Sequence, residues 1–252
     1  MAEKKKKGLV KQDNTPVKKS DFLAKVRQSK AVSARSADRK TLARALETSG
    51  RPRLLFAMDA TASREPSWNV AKEITGAMFE AVPGELDVAL AYHGGGRLKE
   101  VTPFSSDARA FLDKIQQVRC QAGGTALNDV LVATTDMTRL KALIYIGDCF
   151  EESADEARTL AGQLKLKGVR SFMFHEEASW RIGYDVTTAQ DVFGMIAQIT
   201  GGALLPFDEN APEKVKELLE AIAIYAVGGI RLLEQKQRLL PAAKHLLEQM
   251  RS

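Results

Sequence analysis

Two aspartates in this chain each close an apolar run, and hydroxyl side chains recur beside or between them. The first group is Asp59-Ala60-Thr61-Ala62-Ser63. The second is Gly123-Gly124-Thr125, and the third is Gly147-Asp148. Asp59, Thr61, Ser63, Thr125 and Asp148 all offer hard oxygen atoms. Oxygen donors suit Mg²⁺, then Mn²⁺ or Ca²⁺, rather than softer ions. The paired carboxylates bring a divalent ion close to neutrality, and the hydroxyls add neutral ligands. These side chains do not complete an octahedral shell if one carboxylate acts through water. An open position then remains for an oxygen supplied from outside.

Such a centre needs elements that carry the three groups to one place. Residues 54–58 (LLFAM) and 142–146 (ALIYI) read as buried strands ending at Asp59 and Asp148. Residues 86–92, 169–174 and 203–207 read as further strands, with helices predicted near 66–81, 106–118, 126–138, 188–199 and 212–225, and another opening after Ser153. Pro66 falls in a first helical turn, and Ser153 with Glu156 fits a capping box. Gly94-Gly95-Gly96 joins 86–92 to a strand near 97–101 by a link too short for a parallel crossover, so that pair is antiparallel. The alternation predicts an α/β fold: a Rossmann-like open, mostly parallel sheet with one antiparallel edge strand and helices on both faces. Open sheets of this kind put ligands outside the carboxyl ends of their strands, where the three groups fall.

The order Asp-x-Thr-x-Ser, then Thr after glycines, then Asp after a strand resembles the metal-ion-dependent adhesion site (MIDAS) of von Willebrand factor A (VWA) domains. Thr61 stands where that motif usually has Ser, and keeps the hydroxyl. The resemblance covers roughly residues 51–225 and extends to small bacterial intracellular VWA proteins. It implies that Asp59, Thr61, Ser63, Thr125 and Asp148 hold a divalent metal. It also implies a protein partner that donates an acidic side chain to that metal, within a multi-protein assembly and without catalysis. Arg64, Ser67 and Asn128 are the expected polar neighbours of the incoming carboxylate. Loops 59–66, 93–97, 121–126, 148–153 and 176–187 are expected to ring the site.

An enzyme reading competes with this one. Asp59-Ala60-Thr61 and the acidic run Gly147 to Glu152 loosely resemble a haloacid-dehalogenase-like phosphotransferase. Such chemistry needs a lysine beside the nucleophilic aspartate. The candidate, Lys141, precedes its strand and belongs at the opposite sheet edge. Cys120 and Cys149 flank the hydroxyl and aspartate loops, but an oxygen site has no use for thiolate. His93, His175 and His245 have no metal-ligand spacing and read as structural. Trp180 reads either as a partner anchor or as a ring packed over the domain edge.

The remainder of the chain frames the domain. Residues 1–50 hold 14 Lys and Arg against 5 Asp and Glu, whereas the other residues hold 23 against 27. A basic, partly disordered arm with short helices near 20–26 and 38–47 therefore precedes a mildly acidic domain. Its charge suits either a solubilising leader or an acidic partner such as nucleic acid. Residues 226–252 form an amphipathic helical tail: Leu232, Leu239 and Leu246 recur every seven residues, as do Leu233, Leu240 and Leu247. That stripe either folds back on the domain or binds a partner, and Pro241 either kinks the helix or starts another. No apolar run approaches a membrane span, the lysines at 4–7 are not followed by a signal-type apolar region, and two cysteines make no disulfide framework. A cytoplasmic protein is expected, with its oligomeric state open.

Overall fold

The computed structural model describes residues 50–176 and 186–250. The expected disorder of 1–19, the helices near 20–26 and 38–47, and Trp180 lie outside the described residues. Six strands form one sheet in the order β3-β2-β1-β4-β5-β6. They are β1 (Arg53–Asp59), β2 (Asp87–Gly94), β3 (Arg97–Val101), β4 (Leu140–Gly147), β5 (Arg170–His175) and β6 (Ala203–Pro206). All neighbours run parallel except β2 and β3, which pair antiparallel. The expected mostly parallel sheet with one antiparallel edge is present.

The central strands are apolar throughout because both their faces are covered. Leu54, Phe56 and Met58 of β1 and Ala142, Ile144 and Ile146 of β4 enter one core cluster. Leu55 and Ala57, with Leu143 and Tyr145, enter the other. The first cluster is closed by α1 (Glu65–Ile74), α2 (Ala77–Ala81), α3 (Ala108–Gln117), α7 (Pro212–Lys236) and α8 (Pro241–Gln249). The second is closed by α4 (Leu127–Thr135), α5 (Ala154–Leu166) and α6 (Val186–Thr200). From β1 the chain passes to β2 on one side and later to β4 on the other. The carboxyl ends of β1 and β4 therefore meet where the strand order reverses, which is where such sheets open a crevice.

Local chemistry sets several ends. The Asp107 carboxylate accepts from the N–H groups of Arg109 and Ala110, at 2.9 and 3.2 Å, and caps α3. The Ser153 hydroxyl accepts from Glu156 N at 3.3 Å and caps α5. The capping box is only half made, because the Glu156 carboxylate accepts from Asn128 Nδ2 instead. The single helix expected over 66–81 is two helices, α1 and α2, parted at Thr75 and Gly76. A glycine in a helix interior costs about 1 kcal/mol relative to alanine, which weakens the helix at this point.

The tail packs on the domain. Gly229 takes φ +65° and breaks α7, whose second part continues to Lys236. Pro241 occupies the first turn of a new helix, α8. Leu233, Ala242, Ala243, Leu246 and Leu247 join the first core cluster, whereas Leu239, in the link, is 82% exposed. No helix among the described residues is long and apolar enough to cross a membrane.

Candidate metal centre

Asp59 ends β1 with its side chain fully buried. Thr61 wraps it twice: Thr61 N donates to Asp59 Oδ1 at 2.8 Å, and Thr61 Oγ1 donates to Oδ2 at 3.2 Å. Ser63 Oγ lies 3.3 Å from Thr61 Oγ1. The loop is held from outside by Trp68 Nε1, which donates to Asp59 O at 2.7 Å, and by Ala60 N, which donates to His93 O at 2.7 Å. The first sequence group is thus one hydrogen-bonded cluster of oxygen atoms. Burial pushes the Asp59 carboxyl up to about 7. The Asp148 charge adds to that rise, while the Thr61 N–H and Arg64 oppose it. A buried carboxyl beside another carboxylate is a place where a cation is favoured.

Asp148 follows β4, the neighbour of β1, and is buried. It shares its surroundings with Arg64, whose Nη1 stands 3.7 Å from Asp148 Oδ2. The same nitrogen pairs with Glu176 just after β5, and Ser67 Oγ donates to that Glu176 carboxylate. Arg64, Ser67 and Asn128 were expected to greet an incoming carboxylate from the rim. All three are buried and each has partners inside the domain, while Arg64 Nε and Nη2 and Asn128 Oδ1 have no hydrogen-bond partner among the described residues. Arg64 and Ser67 face Glu176, and Asn128 Nδ2 donates to Ser153 O and Glu156 at 3.1 and 3.2 Å.

Thr125 reaches the edge from the loop before α4. Its hydroxyl donates to Glu152 Oε1 at 2.7 Å and accepts from Glu151 N at 3.0 Å, while Thr125 N donates to Glu151 Oε2 at 3.1 Å. One hydroxyl lone pair is left for another partner. Glu152 also accepts from Leu127 N and Asn128 N, at 2.9 and 2.6 Å, so it is an anionic cap on the positive end of α4. His93 ties this loop to β1. Its Nδ1 accepts from Ala126 N at 3.2 Å and lies 3.8 Å from Asp59 Oδ1. Nε2 must then carry the proton and donate to Tyr145 OH, 2.8 Å away. Burial holds His93 down at about 4, so the ring is neutral.

The glycines serve close approach. A Cβ on Gly123, where φ is +142°, would lie 2.3 Å from Gly95 Cα. Loop 121–126 can therefore lie against loop 93–97, and Gly96 N donates to Gly124 O at 2.8 Å. The structure thus joins Asp59, Thr61 and Ser63 directly, sets Asp148 at the end of the adjacent strand, and links Thr125 to Asp59 through Ala126 and His93.

Sequence reasoning passed over His93, Glu152 and Glu176 as parts of this site. His93 could have been found from strand register, since it pairs with Asp59 across β1 and β2. Glu152 carries a weaker signal, an acid four residues past Asp148.

The donor set fits a hard divalent ion: two carboxylates and three hydroxyls at one sheet edge. Among the described residues, no three His, Cys, Asp or Glu side chains gather as a metal cluster. The Cys120 thiol is pushed up to about 11, mainly by burial with the Glu65 charge adding, so it stays neutral and offers no thiolate.

No family model and no curated protein matches the chain. Solved structures do. A von Willebrand factor type A structure from Catenulispora acidiphila shares 14% identity at a TM-score of 0.53, over 71% of this chain and 43% of that one. Proximal thread matrix protein 1 from the mussel byssus, with a zinc-occupied MIDAS motif, shares 14% identity at 0.54, over 69% and 46%. The vWF domain of a type V pili tip protein from Porphyromonas gingivalis shares 9% at 0.51, over 69% and 94%. The chain spans less than half the length of the first two. At such identities the likeness is one of fold, and that fold is the von Willebrand factor A domain.

Proposed function

We propose that this chain is a metal-dependent protein–protein interaction module, an adaptor or subunit of a multi-protein assembly, and that it carries no catalytic chemistry. The observation that supports it is the meeting of two buried carboxylates, Asp59 and Asp148, with the Thr61 and Ser63 hydroxyls where the β1 and β4 ends open the sheet. Asp59, Thr61, Ser63, Thr125 and Asp148 would hold one divalent ion, Mg²⁺ first and Mn²⁺ or Ca²⁺ next. The ion would supply an electrophilic position for a carboxylate oxygen from a partner protein. The zinc-occupied MIDAS motif of the mussel protein, on the same fold, supports a divalent ion at this edge. Cys120 and Cys149 are unpaired, which suits a cytoplasmic setting.

A phosphotransferase built on Asp59 finds less support. Lys141 lies at the amino end of β4, across the sheet from Asp59. His93, whose Nδ1 lies 3.8 Å from Asp59 Oδ1, is neutral and used in holding the loops.

Affinity capture of partners by the full chain, with Mg²⁺ or with a chelator, tests the reading. Partners captured with Mg²⁺ should be released by chelator and lost in Thr125→Ala, which keeps its fold. Partners that ignore both chelator and Thr125→Ala, and leave only when Leu232 and Leu239 are replaced, would make the tail the recognition element.

A further inference from the structure

Beside the metal loop a polar cleft of about 160 Å³ opens at Ala60, the residue between Asp59 and Thr61. Its walls include Lys99, Arg119, Gln117 and Gln121, and among the described residues no acid lines it. Gln121 N donates to Ala60 O at 2.9 Å, and Thr61 bridges to Gln121. One short segment therefore runs from the cleft, at Arg119, to Thr125 at the candidate centre.

Lys99 reaches the cleft through an irregularity in the sheet. The β2–β3 register passes from Tyr92↔Glu100 to His93↔Leu98, which leaves Lys99 as the extra residue of a bulge. Bulges at sheet edges re-aim side chains. The acid next to it, Glu100, is occupied elsewhere: it accepts from Tyr92 OH at 3.3 Å and from Lys114 Nζ at 3.2 Å. Arg119 is anchored by two bonds from Nη1, to Gln116 O and Val118 O, at 3.1 and 3.3 Å. Among the described residues neither Lys99 nor Arg119 forms an ion pair. The buried cation of this edge, Arg64, by contrast turns its Nη1 to two acids of its own domain, Asp148 and Glu176.

We propose that this cleft takes a second carboxylate of the partner, so that the partner is an acidic segment with two acids and not a lone one. The inference rests on the metal-carboxylate reading above. It answers a question that reading leaves: with Arg64, Ser67 and Asn128 buried, Lys99 and Arg119 are cations of the described residues that can meet an acidic segment beside the metal loop. Cleft and metal loop meet at Ala60, and acids two residues apart on an extended peptide lie ~7 Å apart on one side. An extended Asp-x-Asp or Asp-x-Glu segment therefore has the reach for both. The two glutamine amides can donate to the same carboxylate.

The test uses the full chain with Mg²⁺ and blocked Gly-Ser peptides that carry either one Asp or two Asp separated by one residue. Binding is followed by NMR titration for wild type and the Lys99→Ala, Arg119→Ala double variant. The two-Asp peptide should bind wild type several-fold tighter, each exposed ion pair adding about fivefold at most. That advantage should vanish in the double variant and shrink at high salt, while Mg²⁺ binding and one-Asp binding stay as they were. Equal binding of the two peptides, or an advantage that survives the double variant, overturns the inference and leaves the metal-carboxylate reading standing. If Mg²⁺ binds and neither peptide does, the metal-carboxylate reading fails and takes this inference with it. A single-stranded oligonucleotide that binds through Lys99 and Arg119 more tightly than either peptide would assign the cleft to nucleic acid, and would also overturn it.

Discussion

The Arg64 guanidinium stands 3.7 Å from the Asp148 carboxylate, and both side chains are 1% exposed. The domain thus carries an internal cation beside a carboxylate proposed to hold a metal. An entering ion shares Asp148 with Arg64 and is repelled by it, which limits affinity.

Replacing Arg64 removes that competitor and takes the cation away from buried Asp148 and half-buried Glu176. Breaking a buried pair from one side typically costs ~3–5 kcal/mol. Arg64→Gln should therefore melt lower than wild type without metal and recover more of its stability when Mg²⁺ is added. Thermal melts with and without Mg²⁺ check this. An Mg²⁺-induced gain no larger than that of wild type would remove Arg64 from the account.

Acid should expel the metal. The Asp59 carboxyl is raised from 3.8 to about 7 in the metal-free fold, chiefly by burial. Across that window the folded chain holds a proton that the unfolded chain releases. The stability this gives is full at the low end and is lost as pH rises through about 7. A metal must displace the same proton, so Mg²⁺ affinity should fall about tenfold for each pH unit below neutrality. His93 works in the opposite sense: lowered from 6.5 to about 4 by burial, it loses its contribution as pH falls through that interval. Mg²⁺ titrations on either side of neutrality check the first claim; pH-independent affinity contradicts it.

Glu152 should matter to the Thr125 loop more than its place in an acidic run implies. It accepts from the Thr125 hydroxyl, Leu127 N and Asn128 N together. Glu152→Ala should destabilise the domain by about 1–3 kcal/mol in urea unfolding, through lost capping and unsatisfied donors. Glu152→Gln keeps an acceptor and should lose less. Thr125→Ala removes one of these three donors and the acceptor of Glu151 N, and should lose less than Glu152→Ala while staying folded. Equal stability of Glu152→Ala and wild type would refute the capping role.

Much of this was legible in the chain because the central strands are covered on both faces: LLFAM before Asp59 and ALIYI before Gly147-Asp148 can be little else. What stayed hidden depends on register and on packing between distant segments. Arg64 follows Ser63 like any surface cation, and only the fold brings it between Asp148 and Glu176. His93 looks like an isolated histidine until β2 is set against β1. The break at Gly76 is a local preference that an unbroken apolar face concealed. The leucine stripe of the tail left two uses open. Burial of Leu233, Leu246 and Leu247 decides for packing on the domain, and the exposed Leu239 shows why heptad spacing overstated the stripe.

The basic arm, outside the described residues, supports a separate expectation. With 14 basic against 5 acidic residues in 1–50, any nucleic-acid binding should be sequence-independent and fall steeply with salt. A chain beginning at Gly50 should lose it. No retardation of DNA or RNA by the full chain at low salt would exclude the arm as such a contact.

The most direct measurement is calorimetric titration of Mg²⁺ and Mn²⁺ into the full chain, beside Asp59→Asn and Asp59→Ala. Asp59→Asn keeps an oxygen to accept from Thr61 N, so the loop can hold its shape while the charge is gone. One weak divalent site is expected in wild type and none in either variant, with circular dichroism showing both variants folded. The same isotherm from wild type and folded Asp59→Asn would contradict the metal centre at this edge.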